Sequence, residues 1–404
     1  MVTLKLNQKQ TLEKTVEEDN VPVNEEEKED EKKKEEENKA AETHADIKEY
    51  FFKQTRGIEE CLVWCTEHGC SDLYVKVGER PYISRYGKIY QLPCTPITKD
   101  MWAKFYDLNV LNELNAKYVR QKLLDISTEV RIPDDSPNFG KYKTNYYRYR
   151  SSFGFSEDKN ICTFRMIRPS KPTFDTITFP KDCEEMLHEV FKRRSGILYF
   201  TGPTGSGKST SMAACINSYS RPGEVLDNKV IITLEDPIEN SFDCTDTFKV
   251  MQKELDRDFR SFDLGIKAAL REHPTHVIVG ECRDKEVITA AIEANRTGHS
   301  VITSFHAADV PGTISRLLFH LDNDKNLSYD LIISLNCIVS QHLVPSDTGY
   351  IVDVQYMLFN DTITKKLIAI TEQDCNIAVE VEKLFHDEEL ISQGLVRNWA
   401  YDYN

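Results

Sequence analysis

The spacing of apolar residues changes several times along the chain. From Ile47 to His68 they recur at helical intervals, and Gly69 ends the run. Leu73, Val75 and Val77 then alternate with Tyr74 and Lys76, which is a strand period. Gly78-Glu79-Arg80-Pro81 predicts a turn, Tyr82–Tyr86 a second strand, Gly87-Lys88 another turn and Ile89–Leu92 a third strand. A helical stretch follows over Asp100–Leu114, then strands over Tyr146–Phe153 and Ile161–Ile167. Residues 47–171 therefore predict a small α+β domain with an antiparallel sheet. Pro169, Pro172 and Pro180 mark a linker behind it.

Residues 172–345 have a different texture. Short apolar runs, Ile197–Phe200, Val230–Leu234, Val277–Val279 and Val301–Thr303, are separated by helical patterns. Runs this short and uniformly apolar fit strands covered on both faces, hence a parallel α/β sheet. Residues 346–404 are polar and mixed, and a C-terminal helical segment is expected there. Residues 1–46 hold 15 Asp/Glu and 8 Lys with no Phe, Trp or Tyr. Such a segment buries too little apolar area to offset its ordering entropy, so a disordered acidic tail is expected. It reads either as an interaction tail or as a solvated stretch laced with Glu/Lys pairs.

Charge and composition narrow the function classes. The 404 residues carry 51 Lys+Arg against 66 Asp+Glu, a net charge of −15. This balance disfavours direct, sequence-blind binding to nucleic acid, which needs clustered cations. No apolar run is long enough to span a bilayer, and the N-terminus lacks a secretory apolar core, so a cytoplasmic location is expected. The eleven cysteines are scattered and odd in number, as in reduced thiols. Cys61, Cys65, His68 and Cys70 cluster without zinc-site spacing, so Cys61 and Cys65 are placed on the buried side of a helix.

The chemistry begins at Gly202-Pro203-Thr204-Gly205-Ser206-Gly207-Lys208-Ser209-Thr210. This is a phosphate-binding loop between a predicted strand and a predicted helix. Its glycines let several N–H groups converge on one anion, and the helix N-terminus adds its dipole. Lys208 reaches the β- and γ-phosphates, and the Ser209 hydroxyl ligates Mg²⁺. ATP and Mg²⁺ are thus the expected ligands. Two further strands end in carboxylates: Ile231–Leu234 runs into Glu235-Asp236-Pro237-Ile238-Glu239, and Val277–Val279 runs through Gly280 into Glu281-Cys282-Arg283-Asp284. A parallel sheet places its ligands at that edge. His306 ends another buried strand, where it fits a γ-phosphate sensor.

In the order GPTGSGKST, LEDPIE, VIVGECRD and TGHSVITSFHA, the chain resembles the PilT/GspE superfamily of secretion and pilus motor ATPases. SFDLGIKAALREHP, HGCSDLYVKVG, YYRYR and FRMIRP extend the resemblance over about residues 47–345. HGCSD, YRYR, VGECRD and QHLVP are most similar to the Dot/Icm type IVB branch, DotB, and its conjugative relative TraJ. The resemblance has departures: SFHA replaces the usual TLHT, LREHPT replaces LRQDPD, and no four-cysteine insert is present.

The resemblance implies a RecA-like P-loop domain behind a smaller, PAS-like α+β domain. It implies that Glu235 is the general base, that Glu281 fixes Mg²⁺, and that arginines among Arg148, Arg150, Arg165 and Arg168 act in trans on a neighbour's nucleotide. It further implies a hexamer that is peripheral at the inner membrane and powers a type IVB secretion or conjugative transfer complex. The competing expectations are a P-loop nucleic-acid translocase and a motor like that of type IV pilus retraction.

Overall fold

The computed structural model describes residues 39–400, apart from 40–41, 52, 111–122, 140–144, 168–170, 241, 243, 323, 347–348 and 374–375. Two sheets organise it. The first has six strands: β1 (Asp72–Lys76), β2 (Tyr82–Arg85), β3 (Lys88–Gln91), β4 (Leu124–Arg131), β5 (Tyr146–Ser156) and β6 (Lys159–Ile167). Their order is β3-β2-β1-β6-β5-β4, and every neighbouring pair is antiparallel. The helices Ile58–Glu67 and Lys99–Asn109 add Leu62, Trp64, Trp102 and Phe105 to the core formed with that sheet. Thr98 caps the second helix, its hydroxyl accepting from the Met101 amide at 3.2 Å. Cys61 and Cys65 are buried in this core, as their helical spacing predicts.

The second sheet has eight strands. β7 (Gly196–Thr201), β8 (Val230–Glu235), β9 (Lys249–Glu254), β10 (His276–Val279), β11 (Ser300–Phe305) and β12 (Leu335–Ser346) are parallel. β13 (Gly349–Leu358) and β14 (Val396–Arg397) extend it antiparallel, giving the order β14-β13-β12-β7-β11-β10-β8-β9. All residues of β7, β10 and β11 are buried. That is what helices on both faces impose, and it explains their uniform apolar runs.

Several expectations need correction. The acidic tail lies outside the described residues as far as position 38, but 42–51 are helical. Thr43, Ile47 and Phe51 are buried, and Asp46 accepts from Arg85 Nη1 at 2.7 Å. The folded chain therefore begins before residue 46. The predicted helix over Asp100–Leu114 is described as Lys99–Asn109, its remainder lying largely outside the described residues. β4 and β9 were not anticipated, because their sequences, LDISTEVR and KVMQKE, are too polar to read as buried strands.

The expected helical segment 346–404 does contain the helices Asp361–Glu372, Ile377–Phe385 and Glu388–Ser392. It also contributes β13 and β14 to the α/β sheet, so that sheet does not end at 345. Asp353 and Gln355 hide β13 from a hydropathy reading. Both are buried because they have partners: Gln355 Oε1 accepts from the Val310 amide at 2.9 Å, and the Asp353 carboxylate accepts from the Ala400 amide.

The two sheets meet through the linker and one carboxylate. Pro172 and Phe174 are fastened to the helix Lys208–Tyr219: Asn217 Nδ2 donates to the Pro172 carbonyl at 2.9 Å, and the Phe174 amide donates to Ser218 Oγ at 3.0 Å. Farther away, buried Glu254 at the end of β9 accepts the Ser127 amide of β4 at 2.8 Å and the Ser127 hydroxyl. The same carboxylate accepts the Ile238 amide at 3.2 Å.

Candidate active site

β7, β8, β10 and β11 lie side by side and parallel, so their carboxyl ends share one sheet edge. A cavity of about 510 Å³ opens there. Lys208, Ser209, Glu235, Glu281 and His306 line it, with Arg150 arriving from β5 of the other sheet.

The phosphate loop follows β7. Gly202, Gly205 and Gly207 have φ of 143°, 83° and 84°, which glycine adopts without strain. Gly207 caps the helix Lys208–Tyr219 in the left-handed conformation. At Gly202 a Cβ would come within 2.5 Å of the Gln341 carbonyl oxygen, so no other residue fits the unaltered backbone. Lys208 is buried, and Nζ donates to the carbonyls of Gly202 and Pro203, each at 2.9 Å. Burial lowers its pKa, against an opposing pull from the Glu281 charge. Among the described residues no carboxylate pairs with it, so its charge is available to an anion in the loop.

Glu235 ends β8. Its Oε1 accepts from Thr233 Oγ1 at 2.5 Å and from Gln252 Nε2 at 3.0 Å. Gln252 is itself oriented by donating to the Asn240 carbonyl at 2.7 Å. Both side-chain donors hold the same oxygen and leave the second to other partners. Enclosure by protein raises the Glu235 pKa to about 7, although those two hydrogen bonds and Arg148 pull it down. A carboxyl titrating near neutrality suits a general base.

Glu281, just past β10, is held from two sides. Arg283 donates through Nε at 2.7 Å and Nη2 at 2.6 Å to Oε2, and His306 Nε2 lies 3.1 Å from Oε1. The turn beneath is fixed by Ser304 Oγ donating to the Gly280 carbonyl at 2.5 Å. Arg316 Nη1 donates to the His306 carbonyl at 2.5 Å. His306 therefore stands beside Glu281 in this structure. The Ser209 hydroxyl and the Glu281 carboxylate are hard oxygen donors lining one cavity, a set that fits Mg²⁺.

The arginines separate. Arg150 lines its own chain's cavity and donates from Nε and Nη2 to Asp125 Oδ2 at 3.2 and 2.7 Å. Arg148 pairs with Glu129 at 3.0 and 2.6 Å. Arg165 stands opposite Arg150 in the strand register, is mostly exposed, and donates to Asp72 Oδ1 at 3.0 Å without lining the cavity. Arg168 lies outside the described residues. The sequence reading gave no role to Thr233, Gln252, Arg283 or Arg316. Thr233 and Arg283 each stand two residues from a strand-end acid, Glu235 and Glu281, whereas nothing in the local sequence marks Gln252 or Arg316.

A nucleotide-sized cavity at the carboxyl edge of a parallel sheet, floored by a phosphate loop and faced by strand-end acids, defines a P-loop NTPase. The family described as type II/IV secretion system protein matches residues 54–377, and the chain belongs to it. The type IV pilus retraction ATPase PilT of Pseudomonas aeruginosa is 32% identical over 323 residues, covering 77% of this chain and 85% of PilT. The structure of the Legionella pneumophila ATPase DotB superposes with a TM-score of 0.69 at 26% identity, covering 86% of this chain and 95% of DotB. The pilus retraction motor PilT with bound ADP gives 0.67 at 25% identity, covering 85% and 95%. The chain is an ATP hydrolase of the PilT/GspE superfamily. No described helix is long and apolar enough to cross a membrane.

Proposed function

We propose that this ATPase assembles as a hexameric ring in the cytoplasm, docks peripherally on an inner-membrane complex, and powers type IVB secretion or conjugative transfer. The observation that carries the reading is the convergence of Lys208, Glu235, Glu281 and His306 on one cavity, overhung by an arginine from a second domain. Its likeness to DotB supports the choice of machine.

Phosphoryl transfer needs positioning and charge stabilisation more than covalent chemistry. Lys208 exchanges its two carbonyl partners for the β- and γ-phosphates of ATP, joined by the amides of Gly205–Ser209. Thr204, Ser206 and Thr210 complete the loop around them. Glu235, anchored at Oε1, accepts a proton from the attacking water. Ser209 directly and Glu281 through water would hold Mg²⁺, which would supply charge neutralisation at the phosphates. His306 senses the γ-phosphate when Glu281 changes partner. Arg148 and Arg150 sit on a domain that closes over nucleotide, its own or a neighbour's, so that binding and hydrolysis become domain motion.

The test mixes two inactive proteins, Lys208→Ala and Arg148→Ala/Arg150→Ala. If the arginines act across an interface, mixed rings contain some sites with an intact loop and an intact arginine pair, and activity partly returns. No recovery in rings shown by light scattering to be mixed counts against action in trans. Full activity of a monomer at all concentrations sinks the ring. A second reading, a pilus-retraction motor, draws on the 32% identity to PilT. Identifying the membrane complex that co-purifies with the protein separates the two.

A further inference from the structure

Against the phosphate loop, but not among the residues that line the cavity, lies Gln341 of β12. It has no exposed surface. Its strand runs beside β7, with Ser340 opposite Thr201, so the residue is carried directly under the loop that leaves β7. Gln341 Nε2 donates to the Ser206 carbonyl at 2.6 Å. Only the amide nitrogen can make this bond, since a carbonyl oxygen cannot donate to another carbonyl. Gln341 also borders the loop's glycines. Its backbone oxygen is 2.5 Å from the Cβ position of Gly202, and Nε2 is 3.3 Å from that of Gly207.

The consequence follows from the planarity of the peptide unit. In a trans peptide the C=O of one residue and the N–H of the next point in opposite directions. The only cis peptide among the described residues is Asp236–Pro237, so Ser206–Gly207 is trans. Gln341 draws the Ser206 carbonyl into the wall. The Gly207 N–H must then face the other way, toward the cavity that Gly207 lines. At φ of 84° the chain at Gly207 has few side-chain constraints of its own, so the peptide's orientation depends on what holds its oxygen.

We infer that Gln341 is a positioning residue for phosphate binding, which aims the Gly207 amide at the nucleotide by holding the Ser206 carbonyl. It touches no substrate. Ser206 is buried, so its carbonyl without this donor would lack a partner and would gain by turning toward the cavity, where it would repel phosphate. The inference rests on the reading of residues 202–210 as the nucleotide site.

Calorimetry with MgADP on the full chain tests it, using Gln341→Met, which keeps the volume and removes the donor. Gln341→Asn, whose amide stops one methylene short, keeps the polarity but also breaks the bond. Loss of one hydrogen bond made by a charged ligand weakens MgADP binding by about tenfold in both. KM for ATP rises while kcat changes little, and the nucleotide-free melting temperature stays near that of the unaltered protein. Unaltered affinity in either folded variant overturns the inference. So does a fall in nucleotide-free stability that parallels the affinity loss in both, which marks a residue of structure only. Lys208→Ala serves as the control. If it binds MgADP normally, the loop reading itself fails. If it does not bind while the Gln341 variants do, only the role of Gln341 fails.

Discussion

At Glu235 a single oxygen receives two donors while protein encloses the rest of the carboxyl, and these influences oppose each other. Enclosure wins, and the group titrates at about 7. The rising limb of kcat/KM against pH is therefore expected near 7 in the native protein. It should move upward in Gln252→Leu, which removes one hydrogen bond that lowers the pKa. A limb unchanged in that variant would assign the titration to another group. Glu235→Gln should retain MgATP binding and lose turnover by about 10²–10⁴-fold, as for other lost general bases. Normal turnover there, with an inactive Glu281→Gln, would exchange the two roles. The same shift acts on stability. Between pH 4.5 and about 7 the unfolded chain releases this proton while the folded chain keeps it, so stability falls across that window. Thermal unfolding of Glu235→Gln should lose that part of the pH dependence. Lys208→Ala should abolish turnover, since among the described residues no other cation lies within the loop.

At the scale of elements, legibility followed burial. β7, β8, β10 and β11 are apolar over most of their length, and their ends, with the phosphate loop, announced the catalytic edge. β9 and β13 did not, because their polar residues are satisfied by partners far away in sequence. Gln252 on β9 reaches Glu235, and Gln355 on β13 caps the helix that starts at Val310. Hydropathy carries no trace of such partnerships, so Gln252 stayed invisible beside a base whose own position was plain. The misplaced boundary at 345 has a measurable consequence. A chain ending after Ser346 would strip β12 of the neighbour it pairs with from Cys337 to Ser346 and remove Met357, Phe359 and Ile363 from the core. It should fail to fold cooperatively, as calorimetry would show. A truncated chain with a native-like transition would restore the reading of 346–404 as a separate segment. At the other end, Asp46→Ala leaves the buried Arg85 guanidinium with Glu42 at 3.8 Å as its nearest carboxylate. It should cost about 1–3 kcal/mol in denaturant unfolding.

Across the whole molecule, Glu254 joins what the two sheets do. Its carboxylate grips Ser127 of the first sheet and the Ile238 amide in the turn that follows Glu235. Glu254→Gln replaces one accepting oxygen with a donor, so it cannot receive all three N–H and O–H groups. Faster proteolysis in the linker between the sheets and a lower kcat are expected together, with KM for ATP little altered. Unchanged cleavage and kcat would show the clasp to be ornamental. Its geometry sets a kinematic rule as well. The linker that carries the small sheet is fastened along the phosphate-loop helix at Pro172 and Phe174, and the small sheet is held again at Ser127. A body held at two points turns only about the line that joins them. In the proposed closure over nucleotide, while both pins hold, Arg148 and Arg150 swing toward or away from a phosphate and cannot wander sideways, so the stroke has one direction.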